Sequence, residues 1–434
     1  MRIGARVLPT VAGVLLTAIL SGCSGDSTPV SDPPTSSAEA GSAAGSASGL
    51  APTRPAETGS TSTNGPETDS ALAGSAQIAP TPAPRAVPTV VPTVRILATL
   101  ATGLKVPWGV GFLPDGSALV AERPTGQLVR VGSDGKTTPV GTVPGVANRG
   151  EGGLLGLAVL PSATGFSPAP SPGATTASSG PLAAPVTVFA YLTSTAGDNR
   201  VVRMSYDGVH LGQPTKVLTG IPAADHHNGG LITIGPDSKL WIGTGDAGLT
   251  SSAQDRASLG GKILRINLSG SVPSDNPFPG SPVYSLGHRN VQGLAFDSAK
   301  QPWAVEFGQN TWDELNRIVP GGNYGWPLVE GKQKRAGFIE PLVQWPTDQA
   351  SPSGMAIIGD IAYIGALKGQ RLWQVPLGGI TTGTPKPLLT RKLGRIRTVA
   401  AGAGGRLWVT TSNTDGRGAP IPTDDRVLLL ALGH

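Results

Sequence analysis

Aromatic side chains are missing from the first 107 residues of this 434-residue chain: all 20 Trp, Tyr and Phe residues fall at or after Trp108. A segment without large apolar side chains cannot bury enough surface to offset its conformational entropy, which excludes a packed domain over most of the first quarter. Cysteine is almost absent as well, and a single one, Cys23, excludes a protein built on disulfides. Charged residues are scarce at 14%, and a net charge of +5 does not point to nucleic acid. No convincing amphipathic helical pattern appears. What is abundant is Gly (62) and Pro (41), close to a quarter of the chain against a usual share of about 12%, and without the glycine period of a collagen repeat.

Arg2 and Arg6 precede an apolar run from Val7 to Leu20, shorter than the roughly 20 residues that cross a bilayer. With the small residues that follow, this pattern predicts a secretory signal peptide over residues 1–22. Leu20-Ser21-Gly22-Cys23 resembles the bacterial lipobox. That resemblance implies cleavage before Cys23 and lipidation there, so that the mature chain is anchored by lipid at the outer face of the cell membrane; the alternative is a buried or free thiol. Residues 23–93 read as a disordered Ser/Thr/Ala/Pro-rich tether. Residues 161–185 repeat that composition and read as an inserted surface loop.

From about residue 94 the pattern changes to short runs of Val, Ile, Leu and Trp between Pro-Asp-Gly or Gly-Asp turns. A unit of turn, strand, polar loop and strand recurs six times. Its paired runs are Ala118 to Ala121 with Leu128 to Val131, Val186 to Tyr191 with Val201 to Met204, and Leu240 to Gly243 with Ile263 to Ile266. The remaining three are Trp303 to Phe307 with Leu315 to Val319, Ile361 to Ile364 with Leu372 to Val375, and Leu407 to Thr410 with Val427 to Leu430. Six units of this length predict an all-β, six-bladed β-propeller with four-stranded antiparallel blades over residues 94–434. A two-sheet sandwich is the alternative.

Propellers carry their ligand groups on loops, so polar residues in Gly-rich loops are the candidates. Asp225-His226-His227-Asn228-Gly229-Gly230, with Asp246 at the end of the following strand, has the parts of an oriented general base; a surface or metal-ligating His pair is equally consistent. Gly287 to Gly293 places His288, Arg289, Asn290 and Gln292 close together. Glu306 to Glu314 and Gly321 to Pro327 offer the oxygens that calcium requires, or a solvated acidic turn. Lys368, Arg395 and Arg397 suit a ligand with several carboxylates, or form a solvated basic strand.

Taken in order, Pro107-Trp108-Gly109, Glu151-Gly152-Gly153-Leu154-Leu155-Gly156, His227-Asn228-Gly229-Gly230, Gly287-His288-Arg289-Asn290-Val291-Gln292-Gly293, Gly322-Asn323-Tyr324-Gly325-Trp326-Pro327, Lys368 and Arg395-Ile396-Arg397 closely resemble the soluble glucose and sorbosone dehydrogenase family. The resemblance implies a pyrroloquinoline quinone (PQQ) and calcium-dependent oxidation of an aldose or related sugar aldehyde. It implies His227 as catalytic base, chosen over His226 by register from Gly235-Pro236-Asp237, with Asp246 orienting it and Arg289 also catalytic. Glu151, Arg289, Asn290, Gln292, Lys368, Arg395 and Arg397 fall on cofactor-binding positions. Gly308 and Gln309 fall on the carbonyls that hold the cofactor's calcium, and Glu314 and Tyr324 on a second calcium site. Tyr324, Trp326 and Trp345 fall on the substrate side. A membrane-associated electron acceptor is the implied partner. The family's His-Pro-Asp-Phe segment after Gly156 is replaced by Leu160-Pro161-Ser162 and the inserted loop. A propeller that binds a sugar or cell-wall ligand without turnover, and a calcium-dependent lactonase, are the alternatives.

Overall fold

The structure, a computed structural model, describes residues 84–161 and 180–433. The expected signal peptide, Cys23, the tether up to residue 83 and residues 162–179 of the expected loop lie outside the described residues.

Hairpins are set by short acidic turns. At Pro114-Asp115-Gly116 the Asp115 carboxylate accepts from the Ser117 amide at 3.1 Å and its hydroxyl at 2.6 Å, and Gly116 supplies the positive φ of 83°. Asp134, Asp237 and Asp297 accept backbone N–H groups two residues on in the same way. Such turns reverse the chain over a few residues and leave the flanking apolar runs to pair as antiparallel strands.

Twenty-four strands among the described residues form six four-stranded sheets. Blade 1 holds β2 (Pro107–Phe112), β3 (Ala118–Glu122), β4 (Gln127–Val131) and β5 (Thr137–Thr142); blade 2 holds β6 (Leu154–Leu160), β7 (Val186–Thr193), β8 (Asn199–Tyr206) and β9 (Thr215–Ile221). Blade 3 holds β10 (Ile232–Ile234), β11 (Lys239–Gly243), β12 (Lys262–Asn267) and β13 (Val283–Leu286); blade 4 holds β14 (Val291–Phe296), β15 (Pro302–Glu306), β16 (Trp312–Arg317) and β17 (Val343–Pro346). Blade 5 holds β18 (Pro352–Ile358), β19 (Ile361–Ala366), β20 (Arg371–Pro376) and β21 (Lys386–Leu388). Blade 6 joins β22 (Ile396–Gly402), β23 (Arg406–Thr411) and β24 (Val427–Gly433) to β1 (Thr93–Ala101) from the start of the fold, which pairs antiparallel with β24. The protein is therefore an all-β, six-bladed propeller, closed by its own ends.

Each of the six junctions between neighbouring blades holds one apolar cluster. Leu119, Ala121 and Leu128 pack on Leu154 and Val188 between blades 1 and 2, while Ala118 and Val120 pack on Trp408 and Leu429 between blades 6 and 1. Successive residues of one strand thus serve opposite neighbours, as the two-residue period of a strand requires. Strands run alternately up and down, so the loops between second and third strands and the connections between blades emerge on one face. Most candidate site residues lie in those loops or at the first residues of an innermost strand; Glu314 is in β16, Trp345 in β17, and Tyr324 and Trp326 in the connection from β16 to β17.

The chain is ordered against this fold earlier than its composition suggests. Arg85 donates from its backbone to Gly378 and from its guanidinium to Asp297, Ser298 and Asp360, and Gln374 donates to the Pro92 carbonyl. Pro84 to Pro92 is therefore a docked segment and not part of a free tether. At the end of the expected loop, Leu182 packs in the junction of blades 1 and 2.

Candidate active site

His227 sits in the connection from β9 to β10, Asp246 in the loop from β11 to β12. His227 has φ 56°, uncommon for a residue with a side chain, and Gly229 and Gly230 follow at 62° and 116°. This tight path aims the imidazole at Asp246, with Nδ1 2.7 Å from Oδ1. Asp246 is wholly buried. Its Oδ2 accepts from Trp326 Nε1 at 2.8 Å and its Oδ1 also accepts from the Gly248 amide at 2.8 Å. Burial acts to raise the Asp246 carboxyl, but the bonds from His227, Gly248 and Trp326 and the His227 charge outweigh it and hold it below its ordinary value. An ionised Asp246 accepts the Nδ1–H and leaves Nε2 of His227 as the free, basic nitrogen. A Cβ on Gly245 would lie 1.8 Å from the His227 carbonyl oxygen, so only glycine lets the two loops meet. His226 is exposed, its ring edge-on to His227.

Beside this pair lies a cavity of about 550 Å³ at the loop-bearing face. Glu151, Gln292, Lys368, Arg395 and Arg397, all expected at cofactor positions, line it. Glu151 links it to the base, accepting from the His227 amide at 3.1 Å and from Arg417 Nη1 at 2.6 Å. Burial acts to raise Glu151, yet these bonds bring it below its ordinary value. Arg397 donates to Gln292 Oε1 at 2.8 Å and lies over the Trp108 ring, 6.0 Å from its centroid; burial pushes it down to about 10. Arg395 donates to Asp415 Oδ2 at 3.0 Å.

Arg289 and Asn290, also expected at cofactor positions, are not in the cavity wall; Arg289 is tied to it through the Phe307 carbonyl, which accepts from its Nη1 at 3.3 Å. Arg289 lies over the Trp326 ring at 5.3 Å and donates to the Gly308 carbonyl at 2.7 Å; Asn290 Oδ1 accepts from the Gly229 amide. Arg289 Nε, Asn290 Nδ2 and Arg397 Nε are buried donors without a protein partner. Buried donors are rarely left unpaired. One of the three, Arg397 Nε, belongs to the wall of a cavity whose lining also includes Arg123, Lys368, Arg395 and Arg417 above an indole, a set that fits a flat ligand carrying several carboxylates.

Some expected residues lie elsewhere. Trp345 is buried in the junction of blades 4 and 5, packed on Trp373, because β17 is the outermost strand of its blade and far from the axis. Tyr324 is buried too: its ring stacks on His288 and its hydroxyl is used by the Arg317 carbonyl and the Val319 amide. Neither faces the cavity, which corrects their expected substrate role. Glu314 is buried against the Gly331 amide and Asn316, and burial, with the charge of Glu306, raises it to about 8. Its side chain and that of Tyr324 have separate partners, and no cluster of three or more His, Cys, Asp or Glu side chains suited to a metal occurs among the described residues. The Gly308 carbonyl holds Arg289, and Gln309 is exposed, its amide donating to Glu330.

Sequence reasoning passed over Arg123, Asp415 and Arg417, all in the cavity wall. Asp415 and Arg417 flank Gly416 in the loop between β23 and β24, and the only signal available was that such a loop shares its face with Arg395.

A profile of the Glucose / Sorbosone dehydrogenase family matches residues 104–167 and 177–426. Among solved structures, the PQQ-bound form of an aldose sugar dehydrogenase from Streptomyces coelicolor superposes with a TM-score of 0.72 at 48% identity, covering 80% of this chain and 100% of that one. Aldose sugar dehydrogenase YliI of Escherichia coli is 28% identical over 75% of this chain and 92% of its own. Quinoprotein glucose dehydrogenase B of Acinetobacter calcoaceticus is 35% identical over 56% of this chain and 54% of its own.

Proposed function

Because the chain belongs to the Glucose / Sorbosone dehydrogenase family, we propose that it oxidises the anomeric hydroxyl of an aldose, or a related sugar aldehyde, with His227 as general base. It is a PQQ-dependent sugar dehydrogenase. The observation that carries the assignment of the base is the 2.7 Å contact from His227 Nδ1 to a buried Asp246 whose other oxygen is held by Trp326.

When bound, PQQ would supply an ortho-quinone that accepts the hydride of the substrate carbon, which carries both electrons of the oxidation. Arg395, Arg397 and Lys368 would hold its carboxylates, and the family resemblance puts Arg289 and Asn290, each with a buried unpaired donor, among its contacts. His227 Nε2 takes the proton of the substrate hydroxyl, and Asp246 stabilises the imidazolium that forms. Glu151 fixes the His227 backbone from the cavity side. Calcium belongs to the same proposal. The ion takes six to eight oxygens, and the Gly308 carbonyl is shared with Arg289, so these residues fit it only in a joint site with oxygens of the cofactor. Leu20-Ser21-Gly22-Cys23 supports a lipid-anchored location at the cell envelope, with a membrane-associated electron acceptor.

Reconstitution of the apoprotein with PQQ and calcium, followed by dye reduction with a panel of aldoses, tests the reading. Absence of cofactor uptake overturns it. His227→Ala should lower kcat by roughly 10²- to 10⁴-fold and retain cofactor uptake, while His226→Ala stays near wild type. Cofactor-independent hydrolysis of sugar lactones would instead favour a lactonase.

A further inference from the structure

Behind the His227–Asp246 pair, the loop from β11 to β12 folds over a side chain that the chemistry above does not use. Lys262, the first residue of β12, has no exposed surface. Its ammonium donates to three backbone carbonyls, those of Ser252 at 2.6 Å, Gly260 at 2.7 Å and Ala253 at 3.0 Å. No carboxylate is among these partners; the exposed Asp255 acts on it only through its charge. An irregular loop turned inward exposes carbonyls that no strand can satisfy, and a three-donor ammonium answers three of them at once.

That loop also braces the base. Ser252 Oγ and the Leu249 amide donate to the Asp246 carbonyl at 3.3 and 3.0 Å. Gln254 Nε2 donates to the Trp326 carbonyl at 2.7 Å, and Trp326 Nε1 donates to Asp246 Oδ2. The Ala253 carbonyl that accepts from Lys262 also accepts from the Gly287 amide, and Gly287 in turn accepts from the Trp326 amide. One ammonium therefore anchors Ser252, which holds the Asp246 backbone, and the segment that seats Trp326, which holds its carboxylate, and through Asp246 the tautomer and orientation of His227.

We propose that Lys262 is a positioning residue for proton abstraction, an internal cation that clamps residues 249–261 so that Asp246 and Trp326 present a fixed carboxylate to His227. It touches neither sugar nor cofactor. The inference rests on the reading of His227 as base, and its test separates the two.

In the holoenzyme, Lys262→Met should lower kcat by roughly 10- to 100-fold with KM for the sugar and cofactor uptake close to wild type. Lys262→Ala, which opens a space lined by the three carbonyls, should regain turnover when n-butylammonium is added, and Lys262→Met should not. In the apoprotein, hydrogen exchange followed by mass spectrometry should show faster exchange over residues 246–262 and also over 225–230 in Lys262→Met. Faster exchange confined to 246–262 with unchanged kcat overturns the proposal, as does failure of the amine to restore Lys262→Ala. Should the Lys262 variants not fold, Gln254→Ala decides: the proposal requires a lower kcat at near-constant KM, and wild-type kcat overturns it. If the wild-type protein oxidises no sugar, the dehydrogenase reading fails, while the exchange data still report whether Lys262 orders the His227 loop.

Discussion

At the scale of single residues, the base depends on how Asp246 is held. Its two oxygens have three donors, so Asp246→Asn keeps the shape but removes the charge and turns one donor towards another. The expected result is a fall in kcat of at least roughly 10²-fold with intact cofactor binding, measured in steady-state assays. Trp326→Phe removes one bond to an ionised carboxylate and should lower the stability of the apoprotein by about 1.5–3 kcal/mol at pH 7. Asp246 titrates below its ordinary value, so the stability it contributes is complete above that ordinary value and is lost as pH falls through the folded-state value. The gap between wild type and Trp326→Phe should therefore narrow at pH 3, as urea unfolding at the two pH values will measure. Residues such as His227, Arg395 and Arg397 were legible through the family resemblance of the ordered motifs that hold them, each motif alone leaving a bland alternative. Arg417 was not, since its partner Glu151 is 266 positions away and nothing in the local sequence marks the meeting.

At the scale of strands, legibility followed burial. The paired runs read from the sequence coincide with the second and third strands of every blade, β3 with β4 through β23 with β24. These have blade neighbours on both faces, so they are buried at most positions; β3 is buried throughout. Outer strands such as β5, Thr137–Thr142, and β21, Lys386–Leu388, are exposed at alternate or most positions, and their composition is that of loops. The loop between β23 and β24 was hidden for the same reason, yet it carries Asp415, whose carboxylate accepts from Arg395 and lies 3.7 Å from Arg397. Burial acts to raise Asp415, and the two arginines more than reverse it. Asp415→Ala leaves two buried guanidinium groups without their counter-charge, which should destabilise the apoprotein by about 3–5 kcal/mol. A ligand with several carboxylates restores that charge. The rise in Tm on adding PQQ should thus be larger in Asp415→Ala than in wild type, and an equal or smaller rise would show that the arginines are not the carboxylate-binding pair.

At the scale of the whole molecule, six blades close into a ring only because β1 completes the sheet begun by β22, β23 and β24. The junction of blades 6 and 1 holds Leu100 and Ala101 from β1 against Val120 and Trp408, so the first and last strands of the fold share one core. The docked segment before β1 adds a second fastening. Arg85, half-buried, reaches the wholly buried carboxylate of Asp297 in blade 4 at 2.5 Å and Asp360 in blade 5 at 3.3 Å, and Gln374 of β20 holds Pro92. Asp297 and Asp360 lie at the turns between first and second strands, the face opposite the cavity. Three truncations separate the contributions. Removal of residues 1–83 should leave Tm unchanged within about 1 °C, since none of these contacts is touched. Removal of residues 1–92 uncouples blades 4 and 5 from the segment and strands Asp297 without its cation, for an expected loss of about 1–3 kcal/mol, or a fall in Tm of roughly 2–8 °C. Removal through Ala101 strips the last strand from blade 6 and leaves the edge of β24 open; cooperative unfolding should disappear in calorimetry, and cofactor uptake with it, because Arg395, Arg397 and Asp415 all belong to that blade.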